Sequence, residues 1–368
     1  MADYASRMSA LLDRTTADVV ALVPGANMIY FTGLHFHLSE RPTIAFLSRE
    51  GLSFVIPQLE MGKLAARPDL EAHALPWSDG EGYRGSIQQA VAALKLDQKR
   101  LGVDGMTMRV FEWLALASAG MDVSTAEDVG QLLLWQRSIK TAAEVDAIRR
   151  AIALSEEALH ATLRQVGPGM SEQQIATLLS DELSAAGSQS YAFSPLVLTG
   201  PRSALPHGMP GARSLGADEY LLIDFGGKTD DYPADITRTY CLGTPSDEMR
   251  IIHDAVLRAN AAARELAGPG VTCGAVDKAA RDVIEAAGYG EYFTHRTGHG
   301  LGLEGHELPN IAPGDETVLE PGMVFTIEPG IYIPEIGGVR IEDVVHITAS
   351  GCETLTHTPR MLELSQSG

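Results

Sequence analysis

Four carboxylates in the second half of the chain lie at or near the ends of apolar, strand-like segments. They are Asp224, Asp235, Glu328 and Glu342. A single aspartate in such a place more often caps a turn, but four buried carboxylates need counter-charge. Two divalent cations would neutralise four such charges, and an oxygen-rich donor set favours Mn, Co or Zn over thiophilic metals. The pattern therefore predicts a metal centre.

A nitrogen ligand is available between the two acidic pairs. The glycine-rich segment from residue 295 to 307 (HRTGHGLGLEGHE) holds His295, His299 and His306. A lone histidine is usually a surface or satisfied core residue, but three in one such segment favour a site. His299, centred in Gly-His-Gly, is the best-placed ligand. His207, in a Pro-His-Gly turn upstream, falls at roughly the place in the first half that His306 occupies in the second.

The elements that must position these groups form an internal repeat. Gly-Pro-Gly occurs at 167–169 and 268–270, each time after a long helical pattern. Ala-Ala-Gly follows at 185–187 and 286–288, with the same spacing of 101 residues between the two copies. Ile-Asp-Phe-Gly at 223–226 resembles Ile-Glu-Pro-Gly at 327–330. The repeated pattern predicts that each half forms two helices followed by a strand that ends in an acidic residue. A pseudo-twofold domain follows, with an acidic strand pair from each half facing a shared centre.

Strand periodicity refines the placement of the acids. Residues 220–242 predict a β-hairpin that sets Asp224 near the end of one strand and Asp235 early on the returning strand. Residues 339–345 predict another strand, on which Arg340 and Glu342 share a face. Arg340 is then either an ordinary ion-pair partner or a residue that orients the carboxylates.

The first third alternates strand-like and helix-like segments, which predicts an α/β domain with helices over a sheet. It contains no Gly-x-Gly-x-x-Gly phosphate loop. Composition shifts near residues 135–140, and Thr141 with Glu144 has the spacing of a capping box at the start of a long helix. We therefore expect two domains, residues 1–138 and 139–368.

Composition excludes several classes of function. The 368 residues carry 28 basic and 48 acidic side chains, a formal net charge of −20, which disfavours binding to nucleic acid or anionic membrane surfaces. Three scattered cysteines suit a reducing compartment and no disulfide framework. Neither a signal peptide nor an apolar membrane span is visible. We expect a cytoplasmic protein.

Together these residues resemble the metal-dependent peptidases of the pita-bread fold, specifically the Xaa-Pro dipeptidase (prolidase) and Xaa-Pro aminopeptidase branch. The resemblance covers the whole chain: a creatinase-like N-terminal α/β domain precedes the pita-bread catalytic domain. The family's metal ligands, in order, match Asp224, Asp235, His299, Glu328 and Glu342. One departure is Gly305, where the family's histidine motif usually has Val or Ile before its second histidine.

The resemblance implies roles for these residues. Asp235 and Glu342 would bridge two divalent metal ions, Mn first with Co or Zn as alternatives. Asp224 would bind one metal, and His299 and Glu328 the other. Glu328 would also take a proton from a water that the metals share.

Further roles concern the substrate. His207 and His306 would stabilise charge on the substrate carbonyl, Arg340 would orient the ligand carboxylates, and His295 belongs to the same catalytic set. The resemblance also implies a homodimer and a proline-containing peptide substrate. Arg41, in a loop with His35 and His37, would receive a substrate carboxylate, although a solvated loop explains this segment equally well.

Two alternatives stay open within the resemblance. Length and the short N-terminal domain favour a dipeptidase that releases proline over an aminopeptidase that acts on longer peptides. A metal-free, peptidase-like binding module is the other alternative, and the intact ligand set argues against it.

Overall fold

The computed structural model describes residues 3–364, and the chain divides into two compact units, 1–137 and 138–368. Helices of the first unit are α1 (Tyr4–Leu12), α2 (Ala26–Thr32), α3 (Met61–Ala65), α4 (Arg84–Ala93), α5 (Val110–Ser118) and α6 (Gly130–Ser138), which ends at the division. Its strands are β1 (Val19–Leu22), β2 (Ile44–Ser48), β3 (Gly51–Pro57), β4 (His73–Trp77), β5 (Leu101–Val103) and β6 (Glu127–Asp128).

Helices of the second unit are α7 (Ala142–Leu163), α8 (Glu172–Ala185), α9 (Asp247–Leu266) and α10 (Cys273–Ala286). Its strands are β7 (Ser190–Tyr191), β8 (Leu196–Thr199), β9 (Tyr220–Phe225), β10 (Gly227–Thr229), β11 (Tyr232–Pro233), β12 (Ile236–Leu242), β13 (Gly298–Gly300), β14 (Glu307–Ile311), β15 (Val324–Ile327), β16 (Gly330–Ile333), β17 (Gly337–Arg340), β18 (Asp343–Thr348), β19 (Gly351–Thr354) and β20 (Glu363–Leu364). Between residues 3 and 364, no helix combines the length and apolar character that crossing a membrane requires.

The first unit is a six-stranded mixed sheet in the order β4-β3-β2-β1-β5-β6. Alternate residues of its inner strands, such as Val19, Ala21 and Phe46, enter one core together with apolar residues of α4 and α5. This layering of helices on a sheet is the α/β arrangement that the alternating sequence pattern predicts.

The long helix of the second unit begins as the sequence predicts. The Thr141 hydroxyl accepts a hydrogen bond from the Glu144 amide, and the Glu144 carboxylate accepts one from the Thr141 amide at 2.8 Å. Ser171 and Gln174 make the same reciprocal pair at the start of α8. These capping boxes satisfy amide groups that a helix N-terminus otherwise leaves without partners.

The internal repeat is confirmed by backbone hydrogen bonds as well as by element order. The amide of Gly169 donates to the carbonyl of Leu215, and the amide of Gly270 donates to that of Leu319. The N-cap residues of α8 and α10 form equivalent isolated bridges, to Ser214 and Val318 respectively. Each half therefore folds as a helix pair followed by antiparallel strands, β8-β9-β12 in the first and β13-β15-β18 in the second.

The first acidic hairpin consists of a long strand pair and a shorter strand pair beyond it. Strand β12 pairs with the full length of β9, and Asp224 lies opposite Thr237. Beyond them β10 and β11 continue into a smaller sheet and turn at Asp230 and Asp231, both of which have positive φ. Two such residues are typical of the type I′ turn, whose twist matches that of a hairpin.

The prediction of one strand over residues 339–345 is wrong. Strand β17 ends at Arg340 and pairs with β16, whereas β18 begins at Asp343 and pairs with β15 in another sheet. Ile341 and Glu342 lie in the break where the chain changes partners. Arg340 and Glu342 therefore do not share a face of a continuous strand, and their relation depends on how the two sheets meet.

Candidate metal centre

Three buried side chains from separate segments bring ligand atoms to one point. One ligand atom each of Asp235, His299 and Glu342 lies within 4.8 Å of the others. Asp235 immediately precedes β12, His299 lies in β13, and Glu342 lies between β17 and β18. Two carboxylates and an imidazole at this spacing form a donor set that divalent metals bind.

Glu328 joins this group from the end of β15. Its Oε1 lies 3.3 Å from Nε2 of His299, and Oδ2 of Asp235 lies 3.7 Å from the same nitrogen. Nδ1 of His299 is 3.2 Å from the carbonyl oxygen of Gly300 and donates to it. This leaves Nε2 as the ring nitrogen that faces the carboxylates and that a metal ion would bind.

Asp224 presents one free oxygen to the same region. Its Oδ2 accepts a 2.5 Å hydrogen bond from Nη2 of Arg340. Its Oδ1 is buried and has no hydrogen-bond partner among the described residues. A buried, unpartnered carboxylate oxygen is costly unless it binds a cation, so this atom fits a metal ligand.

The charges of the site also fit bound cations. Burial raises the pKa of Asp224, Asp235 and Glu342, and repulsion from neighbouring carboxylates raises each further. Burial acts in the same direction on Glu328, but its hydrogen bond to His299 and the charge of that ring hold the pKa of Glu328 to about 2. Divalent cations would allow the whole set to ionise at neutral pH.

A chain of hydrogen bonds leads from Asp224 to His295. Nη1 of Arg340 donates to the Tyr332 hydroxyl at 2.9 Å, and that hydroxyl lies 2.8 Å from Nε2 of His295. Nδ1 of His295 lies 2.7 Å from the carbonyl oxygen of Arg296 and donates to it, so Nε2 accepts from Tyr332. Burial lowers the pKa of His295, which agrees with a neutral ring. His295 thus contacts Tyr332 and Arg296 instead of a carboxylate of the centre.

Tyr332 is a residue of this site that sequence reasoning missed. It lies on the short apolar strand β16, and its buried hydroxyl links Arg340 to His295. The available signal was weak: a tyrosine flanked by two isoleucines, in the strand that follows the Glu-Pro-Gly turn.

His207 and His306 are the exposed members of the predicted set. The rings of His306 and His299 meet edge to face, with centroids 4.1 Å apart. Partial desolvation, with repulsion from His299 and Arg296, lowers the pKa of His306 to about 4, so its ring is neutral near pH 7. The charge of His207 contributes to the lowered pKa of both His306 and His295, which places His207 within electrostatic range of them.

The glycines that flank His299 have a steric reason. A Cβ at Gly298 would overlap the carbonyl oxygen of Thr326, and a Cβ at Gly300 would overlap that of Leu308. These glycines let the neighbouring chain segments approach the backbone beside His299 closely. Gly305 differs, because a Cβ there would meet nothing within 4 Å.

Arg41 is already paired with acids of the first unit. Its Nε and Nη2 each donate to the Asp79 carboxylate at 2.9 Å, and Nη1 donates to Glu40 at 2.8 Å. A substrate carboxylate at Arg41 would have to displace Asp79.

Comparison with known proteins gives matches along nearly the whole chain. Residues 146–349 match the model of Metallopeptidase family M24, and residues 5–139 match that of the Creatinase/Prolidase N-terminal domain. A putative dipeptidase, YkvY, of Bacillus subtilis (strain 168) is 37% identical over 339 residues, which cover 91% of this chain and 92% of the relative.

Solved structures show the same fold. Dipeptidase PepE from Mycobacterium ulcerans superposes with a TM-score of 0.89 at 35% identity, covering 98% of this chain and 97% of its own. The Xaa-Pro dipeptidase from Bacillus anthracis has a TM-score of 0.88 at 32% identity, covering 98% and 99%. The predicted fold class, a creatinase-like domain followed by a pita-bread catalytic domain, is confirmed.

Proposed function

Because this chain belongs to metallopeptidase family M24 and is therefore a peptidase, we propose that it is a dipeptidase that uses two divalent metal ions to cleave Xaa-Pro dipeptides and release proline. One observation carries the proposal. Ligand atoms of Asp235, His299 and Glu342 converge within 4.8 Å, beside Glu328 and the unpartnered Oδ1 of Asp224.

The proposed ligands divide by position. Asp235 and Glu342, the most buried of the four candidate carboxylates, would be shared by both ions. Asp224 would hold one ion, and His299 and Glu328 would hold the other. A metal pair supplies Lewis-acid polarisation of the scissile carbonyl and a water nucleophile of lowered pKa. Manganese is the ion we propose first, with cobalt or zinc as alternatives, since every donor except one imidazole is oxygen.

Glu328 is the residue that accepts a proton from the attacking water. Its Oε1 faces His299 and Thr326, each at 3.3 Å, which leaves Oε2 to accept a proton and pass it to the departing nitrogen. The pKa of Glu328 lies below the neutral range, so its carboxylate is ionised near pH 7, the form that can act as a proton acceptor. A leaving proline nitrogen must gain this proton before the bond can break.

His306 and His207 stabilise the negative charge that develops on the oxygen of the substrate carbonyl by donating hydrogen bonds to it. The side chains of both histidines are exposed to solvent. A neutral His306 can donate one N–H hydrogen bond to the carbonyl oxygen without adding a positive charge to the site. Arg340 touches no substrate in this scheme. It orients Asp224 through Nη2 and is itself held by Tyr332, which connects it to His295.

The substrate class rests on the relatives. Bacillus anthracis Xaa-Pro dipeptidase and Mycobacterium ulcerans dipeptidase PepE each match over nearly their whole length, including the N-terminal domain. An Xaa-Pro bond is a tertiary amide, so an enzyme that cleaves it cannot rely on a substrate N–H at that position. We also propose a homodimer and a cytoplasmic location, and the three free cysteines support a reducing compartment.

The test combines metal analysis with substrate length. Chelated protein should lose activity and regain it with Mn²⁺ or Co²⁺, and Asp235→Ala or Glu342→Ala should lose the capacity for two ions. Wild-type protein should cleave an Xaa-Pro dipeptide faster than the matching Xaa-Ala dipeptide or Xaa-Pro tripeptide. Full activity in a metal-free sample would refute the metal mechanism, and preference for the tripeptide would make the enzyme an aminopeptidase.

A further inference from the structure

One buried amide is hydrogen-bonded to the backbone beside two of the proposed ligands. Asn260, on α9, is fully buried, and its Nδ2 donates to the carbonyl oxygens of Ile327 at 3.0 Å and Ile341 at 3.2 Å. These carbonyls belong to the residues immediately before Glu328 and Glu342. A single side chain thus holds the backbone at both proposed glutamate ligands.

The orientation of this amide is determined by Arg264. Nε of Arg264 donates to Oδ1 of Asn260 at 2.7 Å. Since a guanidinium only donates hydrogen bonds, the amide atom beside it must be the oxygen. The NH₂ group of Asn260 consequently faces the two carbonyls, and each of its hydrogens has an acceptor.

The same network reaches the other side of the Glu342 peptide. Nη1 of Arg238 donates to the carbonyl oxygen of Glu342 at 2.5 Å and to that of Thr237 at 2.9 Å. Nη2 of Arg238 pairs with Asp343 at 2.8 Å, and Asp343 lies 3.6 Å from Nε of Arg264. Glu342 is therefore held before its Cα by Asn260 and after it by Arg238.

We propose that Asn260 is a positioning residue that sets the separation between Glu328 and Glu342, and through it the geometry of the two-metal site. The inference rests on the proposed metal function. Glu342 lies in the break between β17 and β18, so a regular strand ladder does not locate it. Glu328 follows the last residue of β15, and Asn260 supplies a common anchor for both.

The experiment measures metal binding directly. Asn260→Leu keeps a similar shape and removes both donors, whereas Val256→Ala is the control, since Val256 is equally buried on the same helix and has no polar group. Metal-free proteins are titrated with Co²⁺ and followed by calorimetry and by the visible absorption of the bound ion. Removing an outer partner of metal ligands typically costs about 10- to 100-fold in affinity.

We expect Asn260→Leu to weaken the binding of at least one Co²⁺ by about that factor and to alter the absorption spectrum, while Val256→Ala keeps both near wild type. Arg264→Met, at a partly exposed position, frees the amide to rotate and should shift the spectrum in the same direction if Asn260→Leu does not fold. Wild-type affinity and spectrum in the Asn260 or Arg264 variant, or equal weakening in Val256→Ala, would overturn the inference. Wild-type protein that binds no Co²⁺ would instead refute the metal function itself.

Discussion

Arg340 hydrogen-bonds to one oxygen of Asp224, and the other oxygen is buried with no hydrogen-bond partner between residues 3 and 364. Nη2 donates to Oδ2 at 2.5 Å, while Nε donates to the Thr237 hydroxyl at 3.2 Å and Nη1 to Tyr332. The Thr237 hydroxyl in turn donates to Oε2 of Glu342 at 2.6 Å. One guanidinium therefore orders acids from both halves of the repeat, and its planar fork is what makes three directed contacts feasible.

The first prediction concerns this guanidinium. Arg340→Met should reduce metal affinity and kcat/KM by about 10- to 100-fold, because Asp224 is then free to rotate away from its proposed ligand position. Loss of the positive charge should also raise the pKa of Asp224 further and move the acidic limb of the pH–rate profile upward. Arg340→Lys keeps the positive charge but loses the planar guanidinium. The acidic limb of its pH–rate profile should therefore stay near that of wild type, while its metal affinity should still be reduced. Identical profiles in both variants and wild type would exclude this role.

The second prediction separates rate from metal content at His306. His306→Ala should retain its metal ions while kcat falls by about 10²- to 10³-fold, the usual cost of losing one donor to developing charge. Since the pKa of His306 is about 4, the deficit should be constant between pH 6 and 8. Metal content is measured by atomic emission and rate with an Xaa-Pro dipeptide, with the exposed residue His357 changed to alanine as control. A fall in metal content parallel to the rate would make His306 a ligand.

The third prediction compares two glycines of one segment. Gly298→Ala should destabilise the fold by about 3 kcal/mol or more, because its Cβ would overlap the Thr326 carbonyl and backbone cannot yield cheaply. Gly305→Ala should be neutral or stabilise by about 0.4–1 kcal/mol, since space is open and the unfolded chain loses freedom. Urea unfolding of both variants measures the difference. A stable Gly298→Ala protein would show that the strands can separate at no cost.

The fourth prediction is a pH dependence of stability from His253. This imidazole on α9 is buried, its Nε2 has no hydrogen-bond partner among the described residues, and burial lowers its pKa from 6.5 to about 4. The unfolded state therefore binds a proton at higher pH than the folded state, so stability is lost as the pH falls from about 6.5 towards 4. Below pH 4, this histidine lowers the free energy of unfolding by about 3 kcal/mol relative to neutral pH, at ~1.4 kcal/mol per pKa unit.

The measurement is the free energy of unfolding from pH 7.5 to 4.5 for wild type, His253→Leu and the control His357→Leu. His253→Leu should show a shallower decline than the other two. Parallel curves for all three proteins would mean that other groups cause the acid sensitivity.

Much of the architecture is present in local sequence. The apolar alternation of the first third, the capping box at Thr141 and the repeat of Gly-Pro-Gly each report a short-range preference, and the structure contains each feature. Residue type also indicated the five ligand candidates, because four acids buried together need counter-charge and His299 lies in the glycine-rich segment between them. The match of residues 146–349 to metallopeptidase family M24 agrees with the family that these residues and their flanks indicate.

Tertiary structure decided the relations between these pieces. The change of sheet at Ile341 and Glu342 is not visible locally, because an uninterrupted β-type pattern spans residues 339–345 whichever strand each part pairs with. The contact of Tyr332 with His295 and the hydrogen bonds of Asn260 to Ile327 and Ile341 join residues that lie far apart in the chain. Local preference acts over a few residues, whereas the positions of the candidate ligand oxygens of Asp224 and Glu342 depend on hydrogen bonds between the two halves of the repeat.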